Sequence, residues 1–545
     1  MAARTVRRAT AAIATGALAL TAAACTNPGA DTAAGTGGPK DSAVVGIAYE
    51  PDSLSPLLGY GKDGNSKIFD GLLAFDADMK LKPALAVKLP HVSDGGLTYT
   101  YTLRTDVTFS DGAPFTAKDV VFTYRTILDP KTNNPSRTEL DALKSVEAVG
   151  DDTVIFRLKY PYAPFAERTV HAIAPEHVAG KQDVNTGAFT TQPIGTGPFV
   201  LTGWSKGEKI SFKANPKYWN GAPAVKKFTM AIIKDDDVRA TRLRAGDLDG
   251  AILPPNLAAG FAGDKGKRTY AAKTYDYRTV TLPTHNPVAG DTAVRRALDI
   301  AVDRQTMVDK ILEGAGKPAY GPVPTDSPWF AKGTERRHDL AGAQKILDEA
   351  GWKPGSDGVR VKNGVRASFP LWYLSGDKLR QDHALAYASD ARKAGIEIKT
   401  QAGTWEVIEP RMKTDAVLAG GGSPGDPDFD QYLLLTSSLA GDGFNNMAWY
   451  DNKAVDRALE DGRRTNDPAK RKAAYDTVQR ELVKNPGYTF LTHIDHLYVV
   501  NDAWDSDAKG APLTTQIEPH DHGLAAGPWW NAEAWKPKKA GDDKK

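Results

Sequence analysis

A chain of 545 residues with 41% hydrophobic and 25% charged residues has the make-up of a globular protein with a large core, and its length suggests several domains. The formal charge of +2 comes from the first eight residues: without Arg4, Arg7 and Arg8 the 69 basic residues fall one short of the 67 acidic ones. That balance excludes the one-sided charge that nucleic-acid binding needs. A single cysteine excludes both an internal disulfide and a multi-thiolate metal centre.

Residues 1–24 read as a secretory signal peptide. A basic start is followed by an uncharged stretch, 9–24, that ends in Ala22, Ala23 and Ala24. The stretch is too short to span a bilayer, which takes about 20 apolar residues. Cys25 follows at once, and this resembles a lipobox, in which the thiol is acylated and becomes the new N-terminus. Ala22 stands where that motif usually has Leu. Residues 25–41 are then a lipid anchor and a flexible tether of Gly, Thr, Ala and Pro.

Residues 43–49 read as a buried strand, followed by turn chemistry in "EPDSLSP". Residues 97–110 alternate, with Tyr99, Tyr101 and Leu103 on one face and Thr98, Thr100 and Thr102 on the other, which predicts one strand. After the Asp111-Gly112 turn, Thr116 and Asp119 form a capping-box pattern ahead of a helix with the stripe Val120, Val121, Tyr124, Ile127 and Leu128. Further helices are expected over 292–313, over 340–350 and 378–394 with Gly351 and Gly395 as stops, and over 468–484 after Asp467-Pro468. Strands are expected between them at 208–214, 227–233, 367–374, 396–401, 416–419, 488–491 and 495–500, giving a mixed α/β protein. No repeat of 20–50 residues argues for a solenoid. The tail 536–545 is a solvated charge run, read as disordered.

Three motifs bear on chemistry. "GGSPG" (421–425) matches G-x-S-x-G formally, but Pro424 lacks the N–H that a nucleophile elbow uses as its oxyanion donor, so a serine hydrolase is disfavoured and no catalytic residue is assigned. His520 and His522 would share a face in a strand, which permits metal chelation; otherwise no metal or cofactor is expected. Trp449 and Tyr450 form an aromatic pair suited to a cleft wall.

"LTYTYTLRTDVTFSDGAPFTAKDVVFTYR" (97–125) resembles the signature region of extracytoplasmic solute-binding proteins of ABC importers, in the oligopeptide, dipeptide and nickel branch. Blocks 194–221, 238–251 and 294–324 agree in order and spacing, so the resemblance runs over about residues 43–535. It implies a two-lobed, type II periplasmic-binding-protein-like α/β fold with an extra domain. Domain I would comprise 42–72, 191–282 and 495–535, domain II 73–190 and domain III 283–494. A solute, most naturally an oligopeptide, would be held between domains I and III, which close about a hinge. Permease subunits would read the closed form, and the receptor would act as a monomer on the outer face of the cell membrane.

Peptide-binding members carry an Asp for the peptide's α-ammonium after a Trp and before an Asp-Pro. Here Asp426-Pro427 matches the Asp-Pro, the acid position falls on Ser423, or on Pro424 if the gap is placed differently, and the Trp position is Gly. Asp426 or Asp428 could substitute; if neither does, acetylating a bound peptide is expected to cost little. The stretch "GSPGDP" is also close to the Gly-Ala-Pro-x-Asp-Pro of nickel-binding members, so a metal chelate is the alternative ligand. Trp405 matches a family aromatic that flanks the ligand.

Overall fold

The computed structural model describes residues 40–64, 66–506, 511–520 and 526–538. The expectations for the signal peptide, Cys25, His522 and the end of the tail lie outside them. Among the described residues no helix is long and apolar enough to cross a membrane.

Two sheets dominate. The first has seven strands in the order Lys267–Ala272, His496–Asn501, Gly250–Leu253, Ser42–Ile47, Lys227–Ile232, Lys209–Ala214, Phe199–Ser205. Ser42–Ile47 runs parallel to both neighbours, a pairing that requires long crossover connections to them. Its Val45 packs with Phe228, Met230, Trp529 and Trp535 in one core. The second sheet has six strands in the order Gly316–Pro318, Tyr488–Ile494, Tyr277–Thr281, Ala416–Gly421, Ser368–Leu374, Glu397–Gly403. Leu298, Leu347 and Tyr387, from three helices, cover it with Leu371, Leu418 and Leu491 from its strands.

A four-stranded antiparallel sheet, His91–Ser93, Thr98–Thr102, Thr153–Leu158 and Leu143–Val149, forms a separate core with the helix Ala117–Leu128. That helix starts on a full capping box: Thr116 accepts from the first-turn backbone and Asp119 accepts from Thr116 N–H. Tyr99, Tyr101 and Leu103 are buried on the face that the alternation assigns to them.

Two elements end earlier than their periodicity suggests. The strand expected over 97–110 stops at Thr102, because Arg104 turns away to donate to Ala84 O and lie over Trp219, 4.4 Å from the ring centroid. The helix expected over 292–313 is two, Thr292–Ala301 and Arg304–Lys310. Asp303 caps the second by accepting from Thr306 N–H, and the buried Arg304 guanidinium donates to Asp299, Ala319 O and Phe490 O.

The chain crosses between the two large sheets twice. Tyr277–Thr281 pairs with Ala416–Gly421 and Tyr488–Ile494, so it belongs to the second sheet, and the first crossing lies at 273–276 rather than at 282. The return is at Asp495, between Ile494 and His496. A third segment joins there: Tyr275 N–H donates to Glu518 O and Glu518 N–H to Lys273 O, both at 2.9 Å.

Candidate ligand-binding site

A cavity of about 350 Å³ lies where the lobes meet. Lys62, Asp63, Glu139 and Arg168 line it from one side. Tyr277, Arg380, Trp405, the glycines 420 and 421, Ser423 and the helix Asp428–Leu435 line it from the other, and His520 closes it from the C-terminal segment. The lobes touch around it. Tyr162 Oη donates to Asp428 Oδ2 at 2.8 Å, Arg168 stacks 3.6 Å from the Phe429 ring centroid, and Arg464 lies 4.1 Å from that of Tyr160. These cation–π and charge-assisted contacts bridge the two sides beside the cavity.

The three glycines at the end of the strand Ala416–Gly421 leave room for the wall. A Cβ at Gly420 would sit 2.5 Å from His520 Cε1, and one at Gly421 2.5 Å from Tyr277 Oη. At Gly422, with φ of +128°, it would meet Tyr275 O at 2.0 Å. Where peptide-binding relatives are expected to carry Trp, this chain has a bare backbone against which His520, Arg278 and Tyr277 pack.

Part of the charge lining the cavity is self-neutralised. Glu139 pairs with Arg168 at 2.7 Å and with Lys62 at 3.2 Å. Burial alone would raise the Glu139 pKa, but Arg168 and Lys62 overcome it and hold it at about 2. Glu139 in turn raises Lys62. Asp430 differs: burial pushes its pKa to about 7, against the opposing hydrogen bonds from the Tyr277 hydroxyl and the Gly422 amide. Tyr277 Oη donates to Oδ1 at 3.3 Å, and the buried Oδ2 has no hydrogen-bond partner among the described residues. Arg380, lowered by burial and by neighbouring Arg278, pairs with Asp377 and keeps a buried, unpartnered Nε. Beside the cavity, burial and then Asp426 raise Glu167 to about 8.

The residues singled out from the sequence separate here. Trp405 and Ser423 line the cavity, with Trp405 edge-on to Phe444 at 5.0 Å between centroids. Asp426 is buried in a two-point ion pair with Arg471, Nη1–Oδ2 2.5 Å and Nη2–Oδ1 2.6 Å. Asp428 is buried against Arg463 at 3.4 Å and accepts from Tyr162 and Tyr475. Both are structural carboxylates, committed because each has an arginine within reach. Trp449 and Tyr450 are not among the lining residues. Trp449 packs edge-on to His285, and Tyr450 is core, its hydroxyl donating to Asn485 O. His520 does face the cavity, with Nδ1 2.7 Å from Asp276 Oδ1. Lys62, Glu139, Arg168, Arg380 and Asp430 are the main charged residues among the lining that sequence reasoning missed. For Asp430 a signal existed: an acid between Phe429 and the apolar Leu433 and Leu434, on the inward face of its helix.

The chain matches the family described as bacterial extracellular solute-binding proteins, family 5 Middle, over residues 80–443. It belongs to that family. This family 5 protein is 66% identical over 513 residues to Protein XP55 of Streptomyces lividans, covering 94% of this chain and 93% of that one. It is 30% identical to the oligopeptide-binding protein AppA of Bacillus subtilis, over 82% of this chain and 85% of AppA. Among solved structures, NikZ from Campylobacter jejuni in complex with Ni(L-His) superposes with a TM-score of 0.84 at 31% identity, over 91% of this chain and all of that one. AppA in complex with a nonapeptide superposes with a TM-score of 0.77 at 28% identity, over 92% of this chain and all of that one. The fold is the type II periplasmic-binding-protein fold, and the protein is an extracytoplasmic solute receptor of the ABC-importer kind, not an enzyme.

Proposed function

We propose that this receptor captures short peptides from outside the cell and presents them to its importer in the closed form, held at the membrane by a lipid on Cys25. The observation that carries the peptide reading is the cavity where the lobes meet. It has groups of both charge signs, an aromatic wall in Trp405, and a volume of about 350 Å³. That volume is near the lower end of the ~300–1,000 Å³ typical of small-molecule sites. A volume of that order suits a short peptide, whereas a fully extended nonapeptide spans roughly 30 Å. Closure is then a population shift, since the solute contacts both walls only when they meet.

A nickel chelate is the second reading, favoured by His520 facing the cavity. Among the described residues no group of three or more His, Cys, Asp or Glu is placed to hold a metal, so nickel would have to arrive with its own chelator. Mass spectrometry of the solute that co-purifies with the closed protein separates the readings. A di- or tripeptide supports the first; a metal with a small chelator replaces it with the second. For the anchor, Cys25→Ser should release the protein from the membrane fraction, and retention after a carbonate wash would refute lipidation.

A further inference from the structure

Residues 160–168 carry contacts from the core of the four-stranded sheet to the helices on the other side of the cavity. Tyr162 is buried in that core, where its carbonyl accepts from Tyr99 Oη at 3.2 Å, yet its own hydroxyl donates to Asp428. The Arg463 guanidinium, which pairs with Asp428, lies 5.3 Å from the Tyr162 ring centroid. Further along, Glu167 lies against the turn before Asp426: at Gly425, with φ of +91°, a Cβ would sit 2.7 Å from Glu167 Oε2. That oxygen is buried and has no hydrogen-bond partner among the described residues. The charged and titratable groups facing Glu167 are Asp426, Arg471, Arg168 and the Tyr275 hydroxyl, and Lys62 and Asp63 line the same small space. Both arginines are committed, Arg471 to Asp426 and Arg168 to Glu139. Glu167 therefore faces a carboxylate with no ion pair of its own among the described residues.

We propose that Tyr162 on Asp428 and Glu167 against the turn 423–427 form a proton-dependent latch between the lobes, engaged while Glu167 is protonated and released when it ionises. The contact exists only while the two walls of the cavity touch, and parting them returns Glu167 to water. In the contact a protonated carboxyl is the form that fits, because two carboxylates against the single Arg471 would leave a buried negative charge uncompensated. Burial and then Asp426 accordingly raise the Glu167 pKa to about 8, from an ordinary value of 4.5 that it regains in water. The touching form thus binds the proton more tightly than the parted form. Its added stability is complete below pH 4.5 and is lost as pH rises through about 8. The latch stands beside the cavity, since Arg168 and Phe429 line the cavity and Glu167 the small space next to it. It acts whichever solute the cavity takes: the receptor holds its solute in acid and neutral surroundings and gives it up in alkaline ones.

The test follows the full chain, stripped of solute by dialysis from urea, by small-angle X-ray scattering from about pH 6 to about pH 9.5. Wild type should be compact at the acid end and open above about pH 8, its ratio of touching to parted forms falling by up to about tenfold per pH unit. Glu167→Gln keeps the shape of the side chain without its ionisation and should stay compact across the range. Tyr162→Phe removes the bond to Asp428 and should move the opening to lower pH. The hinge residue His496 titrates at about 9, so His496→Gln serves as the control and should open as wild type does. A wild-type radius of gyration that does not change with pH overturns the proposal, as does the same change in Glu167→Gln or its loss in His496→Gln. If Glu167→Gln fails to fold, an opening at unchanged pH in Tyr162→Phe overturns it.

Discussion

Asp430 illustrates how burial makes stability depend on pH at one residue. Its folded pKa of about 7 lies above the ordinary carboxyl value of 3.8, so the folded state binds that proton more tightly than the unfolded chain. Its contribution to stability is complete below pH 3.8 and is lost as pH rises through about 7. Asp430→Asn removes the ionisation, so ligand-free variant and wild type should differ little near pH 4 while the variant is more stable at pH 8, by on the order of 2 kcal/mol. Urea titrations at the two pH values measure this; a variant less stable at pH 8 would mean that Asp430 is satisfied inside the protein. Trp405 bears on the solute instead. It is half-buried, with Phe444, half exposed, as its ring partner. Trp405→Ala should therefore leave the fold nearly intact while weakening the solute by about 1–3 kcal/mol in calorimetry.

Among the elements, the strand Ala416–Gly421 and the turn after it do the most to shape the site. Its glycines let one strand end run beneath His520, Arg278 and Tyr277 without a side chain between. Gly422 is the most constrained, since its φ of +128° and the 2.0 Å approach to Tyr275 O both exclude a Cβ. Gly422→Ala should destabilise by at least about 2 kcal/mol, read as a lower urea midpoint. A helix cap offers a scale for comparison: Thr116→Ala removes one capping hydrogen bond and should cost about 1 kcal/mol. A Gly422→Ala cost no larger than the cap's would mean that the hinge backbone yields easily.

At the scale of the molecule, both crossings and the C-terminal segment meet in a buried charge cluster. His496 lies between Asp276 at 3.0 Å and Glu518 at 2.8 Å; Asp276 also binds Arg278 and His520. Glu518 further accepts from Tyr498 and from Gly527 N–H. Burial alone would lower the His496 pKa, but the two carboxylates raise it to about 9. Because the folded value exceeds the ordinary imidazole value of 6.5, the stabilisation is complete below pH 6.5 and is lost as pH rises through about 9. Asp276 is held well below 3.8, its burial outweighed by Arg278 and His520, so its share is present above pH 3.8 and lost only in stronger acid. The urea midpoint should fall between pH 6.5 and 9, and the fall should shrink in His496→Gln. An identical alkaline slope in that variant would place the titration elsewhere.

The sequence by itself carried the α/β class, the capped helices at 117 and 468, the inward face of Tyr99 and Tyr101, and the family. These rest on local periodicity, on side chains that bond their own backbone a few residues away, and on ordered blocks along the chain. It also pointed to Trp405 and Ser423 at the cavity, and to Pro424 as an obstacle to hydrolysis. What each acid of the turn 426–430 does was decided only by tertiary structure. Asp426, Asp428 and Asp430 look alike in the chain, but Arg471 and Arg463 arrive from other helices to neutralise two of them, and among the described residues no cation pairs with the third. The same holds for the first crossing at 273–276, set by pairing of Tyr277–Thr281 with strands more than a hundred residues away in sequence, and for His496, whose charge depends on Asp276 and Glu518 meeting at the hinge. Spacing along a chain reports what lies on one element, whereas the charge state of a buried group is set by whatever the fold places within a few ångströms of it.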